Sequence, residues 1–367
     1  MVKWRDRIRY NLVTLKYGIP SLRKLQSQML VFHLGHDKII GWENGLPVRG
    51  LLVPAEFSPA FVNSGARMFN SLKYGLRYPG LTTLAVTARC NCRCKHCAAT
   101  VYPGKDLPGE VWKRVIEESI MLGVFTIVFE GGEPLLRRDL PELISHVDQE
   151  YAIPVIYTNG FLLEERIKEL KRSGLNRVYV SIDFPDEKRH DEHRGLKGLF
   201  KKALKGIEAA KRERMLVGLS TFSSPERFSS GVLEEMMELG VKLGVNEIAV
   251  FDALPAGCLK ERKDLKRRDR EYERKLRGFM EEWWKREDVP GVWWYGHLRS
   301  FYGCGCPAGV TMFHVSNNGD VTPCDGVTMK FGSVLEEDLE SIWIRMSRYG
   351  WKRREEKGPF CWLQDEE

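Results

Sequence analysis

The sequence predicts an α/β fold built on a parallel sheet, and three observations predict it. From Leu81 onward, short apolar runs alternate with longer amphipathic ones about six times. Parallel strands need crossover helices between them, so this alternation reads as repeated β-α units. Each apolar run is followed by polar or glycine-rich residues, and in such folds ligands bind at those strand ends. Finally, 43% hydrophobic and 29% charged residues describe an ordinary globular chain, and 367 residues suffice for one large core with a small appendage.

The elements follow in order. Residues 1–80 form an N-terminal extension that opens with an amphipathic helix, Trp4, Ile8, Leu12 and Leu15 on one face and arginines on the other, interrupted by Gly18 and Pro20. A hairpin is expected around KIIGW, the Asn44-Gly45 turn and a second apolar run near Leu51. Ser58-Pro59 has the form of a helix start, and that helix should run to about Leu76. Residues 81–258 hold the strand candidates LTTLAVT, FTIVFE, IPVIYT, RVYVSID, MLVGLST and EIAVFDA, with helices such as PGEVWKRVIEESIML and LPELISHVDQEY between them. Residues 259–303 are a connector whose mixed charges read as a long solvated helix. Residues 304–367 are a small cysteine-bearing domain with Gly and Pro turns.

No run approaches the roughly 18–20 apolar residues that span a bilayer, and MVKWRDRIRY lacks the features of a signal peptide. The expected location is cytoplasmic. The net charge is +7, and positions 1–35 carry Lys3, Arg5, Arg7, Arg9, Lys16, Arg23 and Lys24 against Asp6 alone. That asymmetry suits an anionic partner, a membrane surface or nucleic acid. The nine cysteines are clustered: Cys90, Cys92, Cys94 and Cys97, then Cys304, Cys306, Cys324 and Cys361, with Cys258 alone between. In a reducing compartment, clustered thiols more often hold metal than form disulfides. Cys258 reads as a small buried residue.

Cys90, Cys94 and Cys97 have the spacing CxxxCxxC directly after a strand. Three thiolates can hold three irons of a cubane and leave the fourth open to another ligand. Zinc prefers paired CxxC units with four ligands, so the spacing favours iron–sulfur, although Cys92 leaves a four-thiol zinc site open.

CxxxCxxC at the end of the first strand of a β/α array resembles the signature of the radical S-adenosylmethionine (SAM) superfamily, and four more motifs follow in order: Gly131-Gly132-Glu133-Pro134, Tyr157-Thr158-Asn159-Gly160, Ser181-Ile182-Asp183 and His193-Arg194-Gly195. The resemblance covers about residues 81–258 and implies a partial (β/α)6 TIM-like barrel. It implies that Cys90, Cys94 and Cys97 hold a 4Fe–4S cluster whose open iron takes the amino and carboxylate groups of SAM. By the same resemblance, Gly131 and Gly132 permit close backbone approach, and Glu133 accepts from the SAM ammonium. Thr158, Asn159, Ser181 and Asp183 serve ribose and methionine polar groups, Arg194 pairs with the SAM carboxylate, and His96 packs on adenine. Cys92 is a spectator, since a fourth thiolate would block SAM. No side chain is assigned as catalytic: reductive cleavage of SAM gives a 5′-deoxyadenosyl radical that takes hydrogen from an unactivated C–H bond. A one-electron donor such as ferredoxin or flavodoxin is implied.

Cys306, Gly319 and Cys324, continued by Phe331-Gly332-Ser333-Val334 and Ser341-Ile342-Trp343, resemble the auxiliary-cluster extension of the SPASM and twitch subgroups. The short cysteine count favours the twitch-like form with one auxiliary iron–sulfur cluster. Its ligands would be Cys306, Cys324 and Cys361 with Cys304 as a fourth; structural zinc is the alternative. The fold and cofactor do not choose a substrate. The basic helix and apolar runs of residues 1–80 favour a lipid alkyl chain at a membrane surface, with carbon–carbon coupling of isoprenoid chains as one outcome and a thermophilic archaeal source compatible. The alternative to lipid contact is that this helix packs on the barrel. The second candidate substrate is a ribosomally made peptide. Haem-pathway and RNA-modifying roles stand further back, and no nucleic-acid partner is expected.

Overall fold

The computed structural model describes residues 38–74, 77–98, 104–266, 269–300, 305–357 and 361–364. The helix expected over Trp4–Leu15, the charge cluster of positions 1–35 and Cys304 lie outside the described residues. The described chain begins with the anticipated hairpin, β1 (Gly41–Glu43) paired antiparallel with β2 (Leu46–Val48). Its turn residues Asn44 and Gly45 have φ of 49° and 83°, the two positive values that a tight hairpin turn needs. Helix α1 (Pro59–Tyr74) starts where Ser58-Pro59 places it, and the Ser58 hydroxyl accepts from the Phe61 N–H at 3.2 Å.

The six anticipated strands are β3 (Leu81–Thr87), β4 (Thr126–Gly131), β5 (Ile153–Thr158), β6 (Arg177–Ser181), β7 (Leu216–Ser223) and β8 (Glu247–Asp252). Crossover helices α2 (Gly109–Leu122), α3 (Leu163–Arg172), α4 (Glu187–Arg194), α5 (Leu199–Arg212) and α6 (Val232–Leu243) join them. Alternation along each strand sorts the side chains. Leu84, Val86, Ile127, Phe129, Val178 and Val180 point out into one large core shared with the helices. Thr83, Ala85, Val128, Glu130, Tyr157 and Ser181 face the inner side and line a cavity.

The sheet is larger than six strands. Beyond β8 lies β9 (Gly291–Trp294), and beside β3 lies β10 (Met312–Val315), both parallel to their neighbours; β11 (Asp320–Thr322) and β12 (Gly332–Ser333) continue antiparallel. The order is β12-β11-β10-β3-β4-β5-β6-β7-β8-β9. One expectation changes here. The connector is not simply a solvated helix: its one long helix, α7 (Arg270–Lys285), buries Leu276, Met280 and Trp283 on a single stripe. The first strand of the cysteine-bearing tail enters the core sheet, and its last helix, α8 (Leu339–Lys357), packs on α2.

The hairpin and the residues after it have a mechanical role. Leu51 is fully buried on the inner face among Val128, Val155, Tyr179 and Leu216. A side chain at Gly218 would collide with the Tyr179 ring at 2.5 Å and with Leu51 at 2.7 Å, so this strand position is bare to admit both. Arg177, at the start of β6, donates to the carbonyls of Gly50, Leu51 and Val53 and to Glu43 at 2.6 Å. Thr126 at the start of β4 bonds Leu52 O at 2.8 Å, and Glu247 at the start of β8 accepts from Leu51 N at 3.1 Å. Segment 48–56 thus plugs the N-terminal ends of the strands. Ala55 and Phe61 of the AEFSPAFV run are buried in this packing.

Candidate active site

The C-terminal ends of β3 to β7 converge on the loop that carries Cys90, Cys94 and Cys97. Asp106 ties down the start of that loop by accepting from Thr87 Oγ1 at 2.5 Å and from Ala88 N at 2.7 Å. Gly131 has φ of 129°, and a Cβ there would overlap Thr87 O; one at Gly132 would overlap Arg89 O. The bare backbone closes instead, with Gly132 N to Thr87 O at 2.7 Å and Glu133 N to Arg89 O at 2.8 Å. The close approach that these glycines permit is therefore to the cysteine loop. From the other side, Arg93 N bonds Arg194 O at 2.8 Å and Lys95 N bonds His193 O at 3.1 Å.

The polar motifs form two buried groups. Glu133 accepts from Thr158 Oγ1 at 2.6 Å, Asn159 N at 2.7 Å and Leu135 N at 3.0 Å, while burial pushes its carboxyl above the usual range. Asn159 reaches back to the loop, donating to Asn91 Oδ1 at 2.7 Å and to the Cys92 sulfur at 3.3 Å. Asp183 and Arg194 pair at 2.7 Å with both side chains buried. Burial opposes the Asp183 charge, but Arg194 and His96 hold its carboxyl well below the ordinary value. Neither Ser181 nor Asp183 caps the next helix; Asp186 does, accepting from Arg189 N. His96 stacks on Phe222 with ring centroids 4.3 Å apart and on His193 at 4.9 Å, its Nδ1 lying 2.7 Å from His193 Nε2. Burial lowers the pKa of His96 to about 4, so it is a neutral flat ring at ordinary pH. Sequence reasoning missed Phe222, Asn91 and Asp106. The strand-end rule pointed to Phe222, which lies just past the expected run, whereas the other two carry no local signal.

Cys90, Cys94 and Cys97 all line the cavity, and their donor set is that of a three-thiolate cluster site. Cys92 is buried; hydrogen bonds to the Cys90 and Cys94 sulfurs raise its pKa, whereas Cys94 falls to about 7 beside Cys92 and Arg194. Cys258 departs from expectation: it is exposed, and its N–H bonds Cys97 O at 2.9 Å after a turn at Gly257.

The second cysteine group assembles around β10 and the chain end. Cys306 is buried with Ala308, Val327 and Trp362, Cys324 packs against them, and Cys361 is buried close to Cys324. Burial and the nearby Asp325, Cys306 and Cys361 raise the Cys324 thiol well above its usual range. Three clustered thiols without a disulfide among the described residues fit an iron–sulfur site. Both cysteine groups line one cavity of about 720 Å3 on the inner side of the sheet. Its walls carry Tyr157, Phe251, Trp293 and Tyr295, in mutual contact at 5.6–5.9 Å. Glu130 and His314, 3.3 Å apart, and Asp325 face it too; burial and Glu130 push Asp325 up to about 6.

The model of the Radical SAM superfamily matches residues 84–224, and that of the SPASM iron–sulfur cluster-binding domain matches residues 304–362. The AdoMet-dependent heme synthase of Methanosarcina barkeri is 28% identical over 292 residues, 72% of this chain and 82% of that protein. The PqqA peptide cyclase of Granulibacter bethesdensis is 27% identical over 272 residues, 70% of this chain and 72% of that one. Streptococcus suis SuiB, solved with its precursor peptide SuiA, superposes with a TM-score of 0.62 at 18% identity, covering 80% of this chain and 70% of SuiB, a likeness of fold. The two matched domains imply a SAM-binding 4Fe–4S cluster and auxiliary iron–sulfur binding. A three-cysteine loop at the C-terminal ends of the parallel strands and a matched cysteine tail folded onto the sheet edge lead to one assignment: the chain belongs to the radical SAM superfamily of enzymes and carries a SPASM domain.

Proposed function

We propose that this enzyme takes a hydrogen atom from a C–H bond of a carboxylate-bearing tetrapyrrole. In this reading Cys90, Cys94 and Cys97 hold the SAM-binding cluster, and Cys306, Cys324 and Cys361 hold an auxiliary one. Bound there, cluster and SAM supply a 5′-deoxyadenosyl radical once a donor such as ferredoxin or flavodoxin provides an electron. The chain's residues would orient SAM: Glu133, Thr158 and Asn159 would serve its amino-acid portion, Asp183 and Arg194 would offer a charge pair, and His96 with Phe222 a stacking surface.

The observation that carries the substrate choice is the single cavity joining both cysteine groups, about 720 Å3 with four aromatic walls. That volume lies within the ~300–1,000 Å3 of small-molecule sites. Aromatic faces suit a flat conjugated macrocycle. The heme synthase relative supports the same class. The lipid reading rested on residues 1–80; the apolar ones from Ile40 to Ala55 pack on the strand ends, which removes part of its basis. The test uses anaerobically reconstituted protein, SAM and dithionite. A tetrapyrrole deuterated on its propionate side chains should raise 5′-deoxyadenosine release and transfer deuterium into it. Stimulation by archaeal lipid extract or by a peptide, with none by tetrapyrroles, would overturn this reading.

A further inference from the structure

We propose that Arg67 anchors an anionic group of the substrate at the end of the cavity opposite the Cys90–Cys97 loop, a proposal that rests on this cavity being the substrate chamber. The cavity does not stop at the cluster end. Its lining continues down the inner face of the sheet to Gly80, Leu81 and Phe125, at the N-terminal edge of β3 and β4. Seven residues of β3 at ~3.3 Å each separate the two ends by roughly 20 Å. The distal wall is apolar, built from Leu52, Val53, Phe61 and Phe125.

Arg67 of α1 is the cation in this apolar end. Its Cδ sits 3.4 Å from the Cβ position of Gly123, so the bare end of α2 gives the side chain its path. Arg67 is half-buried, whereas the fully buried arginines have carboxylates: Arg177 has Glu43, Arg194 has Asp183 and Arg137 has Asp139. Among the described residues no carboxylate lies within ion-pair distance of Arg67, and its Nη1, shielded from solvent, has no hydrogen-bond partner. The Tyr151 ring, 5.9 Å from the guanidinium carbon, is a weak substitute. Burial lowers the Arg67 pKa, as expected of a cation lacking an anion. A buried donor left unsatisfied is costly, and native structures keep few of them. An arginine fork matches a carboxylate or phosphate in two parallel hydrogen bonds. The missing partner is therefore supplied by the ligand, as a propionate of the macrocycle whose opposite edge faces the cluster.

The test is equilibrium binding to the full-length reconstituted enzyme, read by quenching of tryptophan emission, since Trp293 lines the cavity. The probes are protoporphyrin IX, its dimethyl ester and palmitate. Wild type should bind the free acid at least ~10-fold tighter than the ester, as expected for a charged hydrogen-bonded contact. Arg67→Met should bind acid and ester alike, at the affinity of the wild type for the ester, and Arg67→Lys should recover part of the preference. Retained ester binding shows that the Met variant is folded. Acid preference that survives Arg67→Met overturns the anchor while leaving the tetrapyrrole reading intact. Palmitate binding that depends on Arg67, with neither porphyrin bound, keeps the anchor and overturns the tetrapyrrole reading. Failure of all three probes on wild type overturns both.

Discussion

Asp183 is buried, and Arg194 is the chief partner of its charge. Arg194 lies at 2.7 Å, and removing either member leaves the other uncompensated in a dry site. Asp183→Asn should cost about 3–5 kcal/mol at neutral pH, in the range for breaking a buried pair. Because the folded pKa is depressed below 3.8, the carboxylate's contribution is complete above that value and is lost as pH falls below it. Urea melts of wild type and variant should therefore converge only under acid conditions; a gap that narrows between pH 8 and 5 would contradict the assignment. Gly131 tests the backbone. With φ of 129° and Thr87 O in the way, Gly131→Ala carries about 1–3 kcal/mol of local strain aimed at the cysteine loop. The variant's iron content after reconstitution should fall to that of protein lacking Cys90, Cys94 and Cys97, with the second site still filled. Full iron loading would show that the loop tolerates the shift. Residue positions were legible where a motif sits at a strand end, as with Thr158 and Asp183, which both line the cavity. Their partners were not: that Glu133 is held by Thr158 and Asn159, and that His96 lies on Phe222, depends on strand neighbours, which spacing does not encode.

Among the elements, the plug of residues 48–56 does most to shape the cavity. It supplies Leu52 and Val53 to the distal wall and is fastened through Arg177, whose side chain is 1% exposed. Arg177→Met removes four hydrogen bonds and strands Glu43, so a loss of about 3–5 kcal/mol is expected. The urea midpoint should fall with the slope unchanged. A change within about 0.5 kcal/mol, the size of an ordinary surface substitution, would mean the plug is held by Leu51 packing and the Thr126 and Glu247 bonds without Arg177. The sequence carried the hairpin plainly, through Asn44-Gly45, and the helix start at Ser58-Pro59. It did not carry their destination, because a short apolar run has the same appearance facing lipid or facing strand ends. β9 and β10 escaped notice for a related reason. Four residues each, GVWW and MFHV are too short for periodicity to separate from loop, and only pairing with β8 and β3 makes them strands.

For the whole molecule, the decisive arrangement is that one sheet brings two distant cysteine groups to one chamber. Cys90 and Cys361 are far apart in sequence, but β10 lies beside β3, so the tail is laid across the strand that leads into the first loop. On the proposed function a substrate in that chamber would face both groups, the first with SAM generating the radical and the second serving the reaction on substrate. Replacing Cys306 and Cys361 by alanine removes two of the three described thiols of the second group, both of them buried. The doubly substituted protein should lose the iron of that site and still release 5′-deoxyadenosine with dithionite. Substrate-dependent product should drop by about 100-fold or more, close to 3 kcal/mol in the barrier. Iron analysis, 5′-deoxyadenosine release and deuterium transfer, measured on the same preparation, separate the two functions. Product formed at the wild-type rate without that iron would reduce the second group to a staple for the tail, and the shared chamber would then be a matter of packing alone.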